Sequence, residues 1–462
     1  MLATVYSCKP LQNLQQDKIK PMPASFDNSS DTISSATINW KQYFSDKNLT
    51  SLIDTALINN WDIQIALQRI QQAQSNVLFT AGALKPFVNG GAATGIRKFG
   101  TYTMDGAGNK TTDIYNGKII PTHLPDYFVG LQATWEIDAW GKLKNRKKAA
   151  TARFLSSVEG RNVVITNLVA EIAITWYELL GLDQTLKIID ETIVLQENAL
   201  AIVKVQKEAA AANDLAVKQF EAQLLNLRGA RLQTLQQIAE AESKINLLSG
   251  KYPQPISRDT SFFANTIPVS LKLGIPTALL QNRPDIRQAE LELIASKADV
   301  MAAKAAFYPS VNISATIGLQ AFKPNLLVAS SSVAYSLLGS LTAPFINRSA
   351  IKADFNFANA TQLEALFNYQ KSIVTAYVEV YNEMLRIKNL QQVFELKATE
   401  VDVLTQSIRT SSLLFRTGRA NYLEVLFTQQ NALQAKLQLI ETKKNQFLSA
   451  VNMYKALGGG WR

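Results

Sequence analysis

The chain has 462 residues, of which 47 are Lys or Arg and 37 are Asp or Glu, so its formal net charge at pH 7 is +10. One Cys and one His are present. Disulfide frameworks and His/Cys metal centres each need several such residues in one fold, so we expect neither. The cations are scattered among acids, which argues against a nucleic-acid partner.

The sequence also gives little support for catalysis. The single histidine, His123, lies in the loop-like segment Pro-Thr-His-Leu-Pro. Neither GxGxxG nor GxxxxGK followed by Ser or Thr occurs, so no phosphate-binding loop is indicated. We predict that the protein is not an enzyme and binds no cofactor or metal.

Residues 1–45 are predicted to form an extended N-terminal segment. Within it, Val5-Tyr6-Ser7-Cys8 resembles the end of a bacterial lipoprotein signal, with a small residue just before the Cys that is acylated. The stretch before Cys8 is shorter than a full signal, which needs a basic segment and an apolar core of roughly 7–15 residues. Cys8 is therefore either a lipidation site behind a truncated start or an inert terminal residue.

The rest of the chain contains a duplication. We predict a first repeat at 46–250, a Pro-rich connecting strap at 251–284, a second repeat at 285–458 and a C-terminal tail at 459–462. Each repeat has the order helix, strand, loop, strand, very long helix, long helix. A shift of 223 residues aligns identical residues at Asp62 and Asp285, Ile63 and Ile286, Ala66 and Ala289, Val77 and Val300, Pro86 and Pro309, Val88 and Val311, Asn89 and Asn312, Ala92 and Ala315, and Gly95 and Gly318.

The helices are unusually long. We predict helices at 143–209 and 214–249 in the first repeat, and at 348–415 and 421–457 in the second. The later helix of each repeat carries mostly apolar residues at a seven-residue period, which winds packed helices into a left-handed supercoil. By contrast, we expect no helix that spans a membrane, because the most apolar helical stretch, 163–182, contains an Asn and two Glu.

Four strands are indicated by alternating apolar and polar residues, regularly in the second and third and less regularly in the first and fourth. They are predicted at 87–97, 126–138, 310–320 and 335–346. This pattern fits either a sheet on a soluble core or a membrane β-barrel, whose strands need about 10 residues to cross a bilayer. Four strands cannot close a barrel. If they span a membrane, other copies of the chain must pair with the edge strands.

Three segments carry a resemblance to a known family. The stretch Ile275–Glu290, with Arg283-Pro284-Asp285 at its centre, resembles the Arg-Pro-Asp hallmark of the outer membrane factors, the TolC-like efflux ducts. Ala305–Val311 continues that hallmark, and Trp135–Leu143 resembles the exit of the family's second strand. The resemblance covers about 40–460, and Cys8 corresponds to the lipid-anchored branch.

The resemblance implies a mainly α fold with a membrane β portion. Four strands per chain would complete a barrel in the outer membrane only as a homotrimer, with a helical tube in the periplasm. Such a duct docks on a periplasmic adaptor and an inner-membrane pump, and passively passes drugs or metal ions outward. Two alternatives remain open: a type I protein secretion duct, and a non-transporting coiled-coil scaffold of the envelope.

The turns between the paired long helices correspond to the family's gate. Glu424 stands where family members carry an acidic ring residue, and Asp214 in the first turn is the alternative acid. Phe427, at a position that is acidic in some members, suggests an apolar gate. Arg416, Gly418 and Arg419 are candidate adaptor contacts. The alternative interpretation of each acid is a solvated helix-start residue favoured by the helix dipole.

Arg283, Pro284 and Asp285 are expected to be structural. Pro is favoured at the first position of a helix, and an acid there interacts well with the positive end of the dipole. We therefore interpret this motif as a helix start and not as a catalytic site.

Overall fold

The structure is a computed structural model that describes residues 21–26, 34–115, 117–260, 263, 272–346 and 348–462. Cys8, the candidate lipidation site, lies outside the described residues. The described residues form two compact units. One unit comprises Gln71–Leu155 and Leu291–Leu366, and the other comprises 21–70, Ser156–Glu290 and Phe367–Arg462. Each unit therefore combines segments from both sequence repeats.

The first unit contains a four-stranded antiparallel sheet. Its strands are β1 (Phe87–Arg97), β4 (Leu124–Ile137), β5 (Ser310–Ala321) and β6 (Val333–Thr342), in the order β1-β4-β5-β6. Within the described part of the chain, β1 and β6 are the edges of an open sheet. A two-stranded ribbon of β2 (Asp113–Tyr115) and β3 (Lys118–Ile119) and the helix α4 (Met104–Thr111) lie between β1 and β4.

Three of the four long strands, β4, β5 and β6, have bounds that differ from the sequence-based prediction. The fourth strand was expected at 335–346 but ends at Thr342, because Pro344 two residues later has no backbone N–H to donate to a ladder. The second was expected at 126–138 but begins at Leu124, because β1 continues to Arg97 and its last residue pairs with Leu124. The connection at 98–125, expected to be a plain loop, holds α4 and the β2–β3 ribbon.

The strand register places the apolar residues on one face. Leu131 lies opposite Ile317 on the neighbouring strand, and Ile317 lies opposite Tyr335. The polar residues share the other face, where Gln132 pairs with Thr316. The apolar face is not covered by other described residues. Its large exposed side chains include Val88, Ile96, Val129, Leu131, Ile317, Val333, Tyr335, Leu337 and Leu341.

Glycine is required where β4 and β5 approach each other. Gly130 and Gly318 are paired across the two strands. A Cβ atom on Gly130 would lie 2.4 Å from the carbonyl oxygen of Ile317, and one on Gly318 would lie 2.5 Å from that of Val129. The ring of Phe128 lies within 3 Å of both Cβ positions, so it occupies the space that the missing side chains leave.

Long helices follow the strands in both halves of the chain. They are α5 (Lys142–Glu208) and α6 (Asp214–Leu248) in the first half, and α9 (Ser349–Arg416) and α10 (Tyr422–Ala456) in the second. These helices and the four-stranded open sheet confirm the predicted fold class. The shorter helices are α1 (Trp40–Tyr43), α2 (Lys47–Asn59), α3 (Trp61–Gly82), α7 (Leu279–Asn282) and α8 (Pro284–Ala305).

The second unit has an aromatic and aliphatic core around the middle of α5. Trp176 is fully buried, and its indole N–H donates to the Asp46 carboxylate at 2.9 Å. The rings of Tyr43 and Tyr454 stack with centroids 4.0 Å apart. The Tyr43 hydroxyl donates to the carbonyl of Ala450 at 2.7 Å, which satisfies a buried polar group.

One described helix, α5, is long and apolar enough to cross a membrane by length and composition alone. This finding differs from the expectation that no helix passes such a test. However, 67% of its most apolar 18-residue stretch is buried inside the protein. A core helix with this burial meets the same criteria, so the observation is weak support for a membrane span.

Candidate functional site

The two turns that join the long helices form the candidate gate. In the first turn, after α5, Ala210 adopts a left-handed conformation with φ 56°. The backbone N–H of Ala211 donates to the carbonyl of Gln206 at 2.8 Å, which closes the end of the helix. The Asn213 side chain then accepts the backbone N–H of Ala216 at 2.9 Å and caps α6. This cap satisfies one of the free N–H groups that begin every helix.

The second turn, after α9, repeats this geometry. Gly418 has φ 71°, and the N–H of Arg419 donates to the carbonyl of Leu414 at 2.8 Å. The Asn421 side chain accepts the N–H of Glu424 at 3.1 Å, while the Glu424 carboxylate accepts the N–H of Asn421 at 3.4 Å. These reciprocal bonds form a capping box at the start of α10.

The two candidate acids have different electrostatic surroundings. Asp214 is exposed and forms an ion pair of 2.5 Å with Lys207. The hydrogen bond from Lys207, and then its charge, hold the pKa of Asp214 below the ordinary value. Glu424 is also exposed but forms no ion pair with another described residue. Of the two acids, Glu424 therefore has the less neutralised charge.

The remaining gate and adaptor candidates are exposed. Phe427 lies one turn after Glu424 with 66% of its surface accessible. Arg416, Gly418 and Arg419 are exposed as well. All the predicted residues of the second turn, from Arg416 to Phe427, thus lie in one short segment of the structure. Asp214 belongs to the other turn.

A cavity close to these turns was not predicted from the sequence. An open cavity of about 310 Å³ is lined by residues of α5, α6, α9 and α10. Its wall is mostly apolar, and the side chains that form it include Leu195, Ile202, Phe220, Phe415, Arg416 and Lys436. The helices that meet here are distant in the chain, so no local pattern could have identified the cavity.

Arg283 binds three separate parts of the second unit. Its side chain is 9% exposed and makes two bonds to the Asp285 carboxylate, at 3.0 and 2.6 Å. It also donates to Glu379 at 2.6 Å and to the carbonyl of Ala456 at 2.9 Å. Burial lowers the pKa of Arg283, but Asp285 and Glu379 outweigh burial and hold it above the ordinary value. The arginine thus joins the start of α8 to α9 and to the end of α10.

Pro284 is the first residue of α8, as the helix-start interpretation requires. The chain after α10 packs on the same place: Gly458 has φ 94°, and a Cβ there would lie 2.6 Å from the carbonyl oxygen of Asn282. The indole N–H of Trp461 donates to that carbonyl at 3.1 Å. These contacts suit a structural role. Elsewhere in the described ranges, no group of three or more His, Cys, Asp or Glu could hold a metal ion.

Comparisons with known proteins agree with this geometry. Residues 52–251 and 275–459 match the model of the family described as outer membrane efflux protein. The probable outer membrane lipoprotein SilC of Salmonella typhimurium is 26% identical over 459 residues, covering 98% of this chain and 96% of SilC. The cation efflux system protein CusC of Escherichia coli strain K12 is 25% identical over 445 residues, covering 95% of this chain and 94% of CusC.

A solved structure of the outer-membrane channel OprN superposes with a TM-score of 0.85 at 22% identity, covering 97% of this chain and 99% of OprN. The fold is therefore shared with OprN. Because the family match spans most of the chain, this chain belongs to the outer membrane efflux protein family. The predicted family, its outer membrane location and its function as an efflux channel are confirmed. That family consists of channel components and not of enzymes.

Proposed function

We propose that three copies of this chain form a passive duct through the outer membrane, with one twelve-stranded barrel built from four strands of each copy. The observation that carries this proposal is the open sheet with an uncovered apolar face. In hydrocarbon, each unpaired backbone N–H or C=O costs several kcal/mol. The free edges of β1 and β6 therefore need partner strands, and sister copies of the chain can supply them.

The duct receives its cargo from a periplasmic adaptor and an inner-membrane pump, which supplies the energy. Arg416, Gly418 and Arg419 are the proposed adaptor contacts, since they are exposed at a helix–helix turn. The cargo is a metal ion or a small-molecule drug. The name of CusC, a cation efflux system protein, favours a cation. A type I protein secretion duct is the alternative within the same fold.

The gate lies at the turns. Glu424, repeated in each copy, forms an acidic ring that attracts cations, with Phe427 as an apolar constriction beside it. Asp214 is the second candidate for an acidic ring, but its pairing with Lys207 weakens the field that it offers to a passing ion.

Cys8 is the proposed lipid attachment site. Its sequence context supports this proposal, as does the word lipoprotein in the name of SilC. Metabolic labelling with a radioactive fatty acid should mark the wild-type protein and not a Cys8→Ser variant. Equal labelling of both would place the acyl chain elsewhere.

The duct is tested by fractionation, cross-linking and conductance. The full-length protein, expressed in a Gram-negative host, should sediment with the outer membrane, yield a cross-linked trimer and produce stepwise conductance in planar bilayers. A monomer in the soluble fraction would reject the proposal and favour the envelope scaffold. A trimer in the outer membrane that conducts no ions under any applied voltage would reject the open duct but keep the assembly.

A further inference from the structure

Positively charged residues lie at the end of the sheet where its strands join helices. At each of the four junctions between a helix and a long strand, a lysine is exposed: Lys85 before β1, Lys144 after β4, Lys304 before β5 and Lys352 after β6. All four belong to the first unit. The cations thus occur at one end of every long strand of the sheet.

The junction after β4 has the greatest density of positive charge. The first seven residues of α5 include Lys142, Lys144, Arg146, Lys147 and Lys148. Lys142 pairs with Glu136. The other four are exposed and form no ion pair with any residue of the described part of the chain. We name these four residues, Lys144, Arg146, Lys147 and Lys148, the basic patch.

The basic patch lies where helix electrostatics oppose it. The first turn of α5 contains no acidic residue, although cations are disfavoured near the positive end of a helix dipole. The Asp138 carboxylate accepts the N–H groups of Leu143 and Lys144 at 2.9 and 2.8 Å. These backbone donors are therefore already occupied. An anion at this surface would be bound by the four side chains and not by the helix end.

Aromatic residues lie beside the basic patch at the same end of the sheet. Trp140 and Tyr308 are about half exposed, and their rings stack with centroids 5.0 Å apart. The indole N–H of Trp140 donates to the carbonyl of Pro309 at 2.7 Å, which fixes the ring. Phe345 and Ile346, just after β6, are almost fully exposed. Exposed aromatics between an apolar strand face and a charged segment are typical of a membrane–water interface.

We propose that the basic patch binds anionic phospholipid headgroups of the membrane leaflet at the helical end of the barrel. This inference rests on the proposed function, which puts the apolar strand face in the bilayer and the helices in the periplasm. Charge complementarity and continuity with that apolar face identify the partner. Lipid acyl chains contact the strands, and the headgroups above them meet the unpaired cations. Each lysine or arginine near an anionic membrane surface strengthens the attraction of the protein to that surface.

The test measures which lipid contacts the sheet end. The trimer is reconstituted in vesicles that contain brominated phosphatidylglycerol or brominated phosphatidylcholine, whose bromines quench nearby tryptophans such as Trp140. For the wild type we expect a relative affinity for phosphatidylglycerol on the order of five- to tenfold. The variant with Lys144, Arg146, Lys147 and Lys148 all changed to Gln should lose most of that preference.

A matched control removes the same charge elsewhere. Lys187, Lys204, Lys388 and Arg409 are exposed cations of α5 and α9, and the first of them along α5, Lys187, follows Lys148 by 39 residues. Changing these four to Gln should leave the lipid preference unchanged. If the patch variant does not assemble, the wild type in 1 M NaCl provides the second measurement, because salt screens exposed charges and should abolish the preference.

Two results would overturn the proposal: equal quenching of the wild type by both lipids, or the same preference in the wild type and the patch variant. A wild-type protein that fails to insert into either vesicle contradicts the proposed duct itself. The failure of the duct and the failure of the lipid site are therefore distinguishable.

Discussion

Ala210 and Gly418 occupy the same position in the two helix–helix turns. Each lies three residues before the Asn that caps the next helix, Asn213 or Asn421, and each has a positive φ, 56° and 71°. The space around Gly418 is empty, so a Cβ there would contact nothing within 4 Å. Ala210 therefore bears a conformational cost that Gly418 avoids, since the left-handed region crowds a Cβ against the next carbonyl oxygen.

This relationship predicts substitutions of opposite sign. Ala210→Gly should stabilise the first turn and Gly418→Ala should destabilise the second, each by up to about 1 kcal/mol, because the side chain opposes the left-handed conformation. Amide hydrogen exchange at 206–216 and 414–424 measures both changes locally. Slower exchange in Gly418→Ala would contradict the expectation, because the lower entropy of the unfolded chain would then outweigh the cost of the left-handed side chain.

Glu424 is predicted to control ion selectivity in the proposed duct. Glu424→Gln removes the charge but keeps an amide that can still serve in the capping box, so the turn should remain folded. The cation preference in planar bilayers should fall. Asp214→Asn is the comparison, and its effect should be smaller because Lys207 already pairs with Asp214. A larger effect at Asp214 would move the acidic ring to the first turn.

The turns show how far a single sequence can predict this site. The breaks between the predicted helices, at 210–213 and 416–420, identified both turns, and the Asn that caps each following helix is a local signal of a helix start. The left-handed Ala210 was not foreseen, since an Ala carries no sequence signature of that conformation. Arg283 illustrates the second limit: its partners Glu379 and Ala456 lie 96 and 173 residues away, where no local pattern indicates them.

The existence of the four strands was predicted from the sequence, but the residues at which several of them begin or end were not. The first strand was predicted at 87–97 as a less regular copy of the alternating pattern, and β1 spans these residues in the structure; the two-residue period of that pattern is a consequence of strand geometry. The end of β6 depends on Pro344, and the extent of β4 depends on pairing with β1. Both are interactions outside the alternating pattern. The four-helix cavity depends on packing between helices of both halves, which no periodicity specifies.

The apolar strand face provides a test with a neighbouring control. Ile317, 57% exposed on that face, is flanked by Thr316, which pairs with Gln132 and Ser336 on the polar face. Ile317→Lys should reduce assembly in the outer membrane by a cost of up to about 2–4 kcal/mol for a cation in lipid. Thr316→Lys should assemble normally, because its side chain points to the barrel interior in the proposed trimer.

Heat-resistant trimer in outer membrane fractions, seen on gels, measures this difference. If both lysine variants assembled equally well, the apolar face would not contact lipid. Equal loss of both would point to a general folding defect and would remove the support that the strand alternation gives to a membrane location.

Glu383 is predicted to make stability depend on pH. It lies on α9, and its Oε2 has no hydrogen-bond partner among the described residues. Burial raises the pKa of Glu383 above the ordinary value of 4.5, although Arg386 and Ser449 partly oppose this shift. Because the folded state holds the proton more tightly than the unfolded state, stability should fall as pH rises from about 4.5 through the raised pKa.

Glu383→Gln removes this titration and should therefore raise the melting temperature of the trimer at pH 7.5. The difference between variant and wild type should shrink as pH falls through the raised pKa and vanish below about 4.5, where the wild-type carboxyl is protonated in both states. Glu441→Gln is the control, since Glu441 likewise pairs with a cation three residues along, Lys444, but is 58% exposed. A gain in melting temperature at Glu383→Gln that does not depend on pH would show that packing, and not the buried charge, destabilises the wild type. An equal gain at the exposed Glu441 would show that burial of the carboxylate is not the cause.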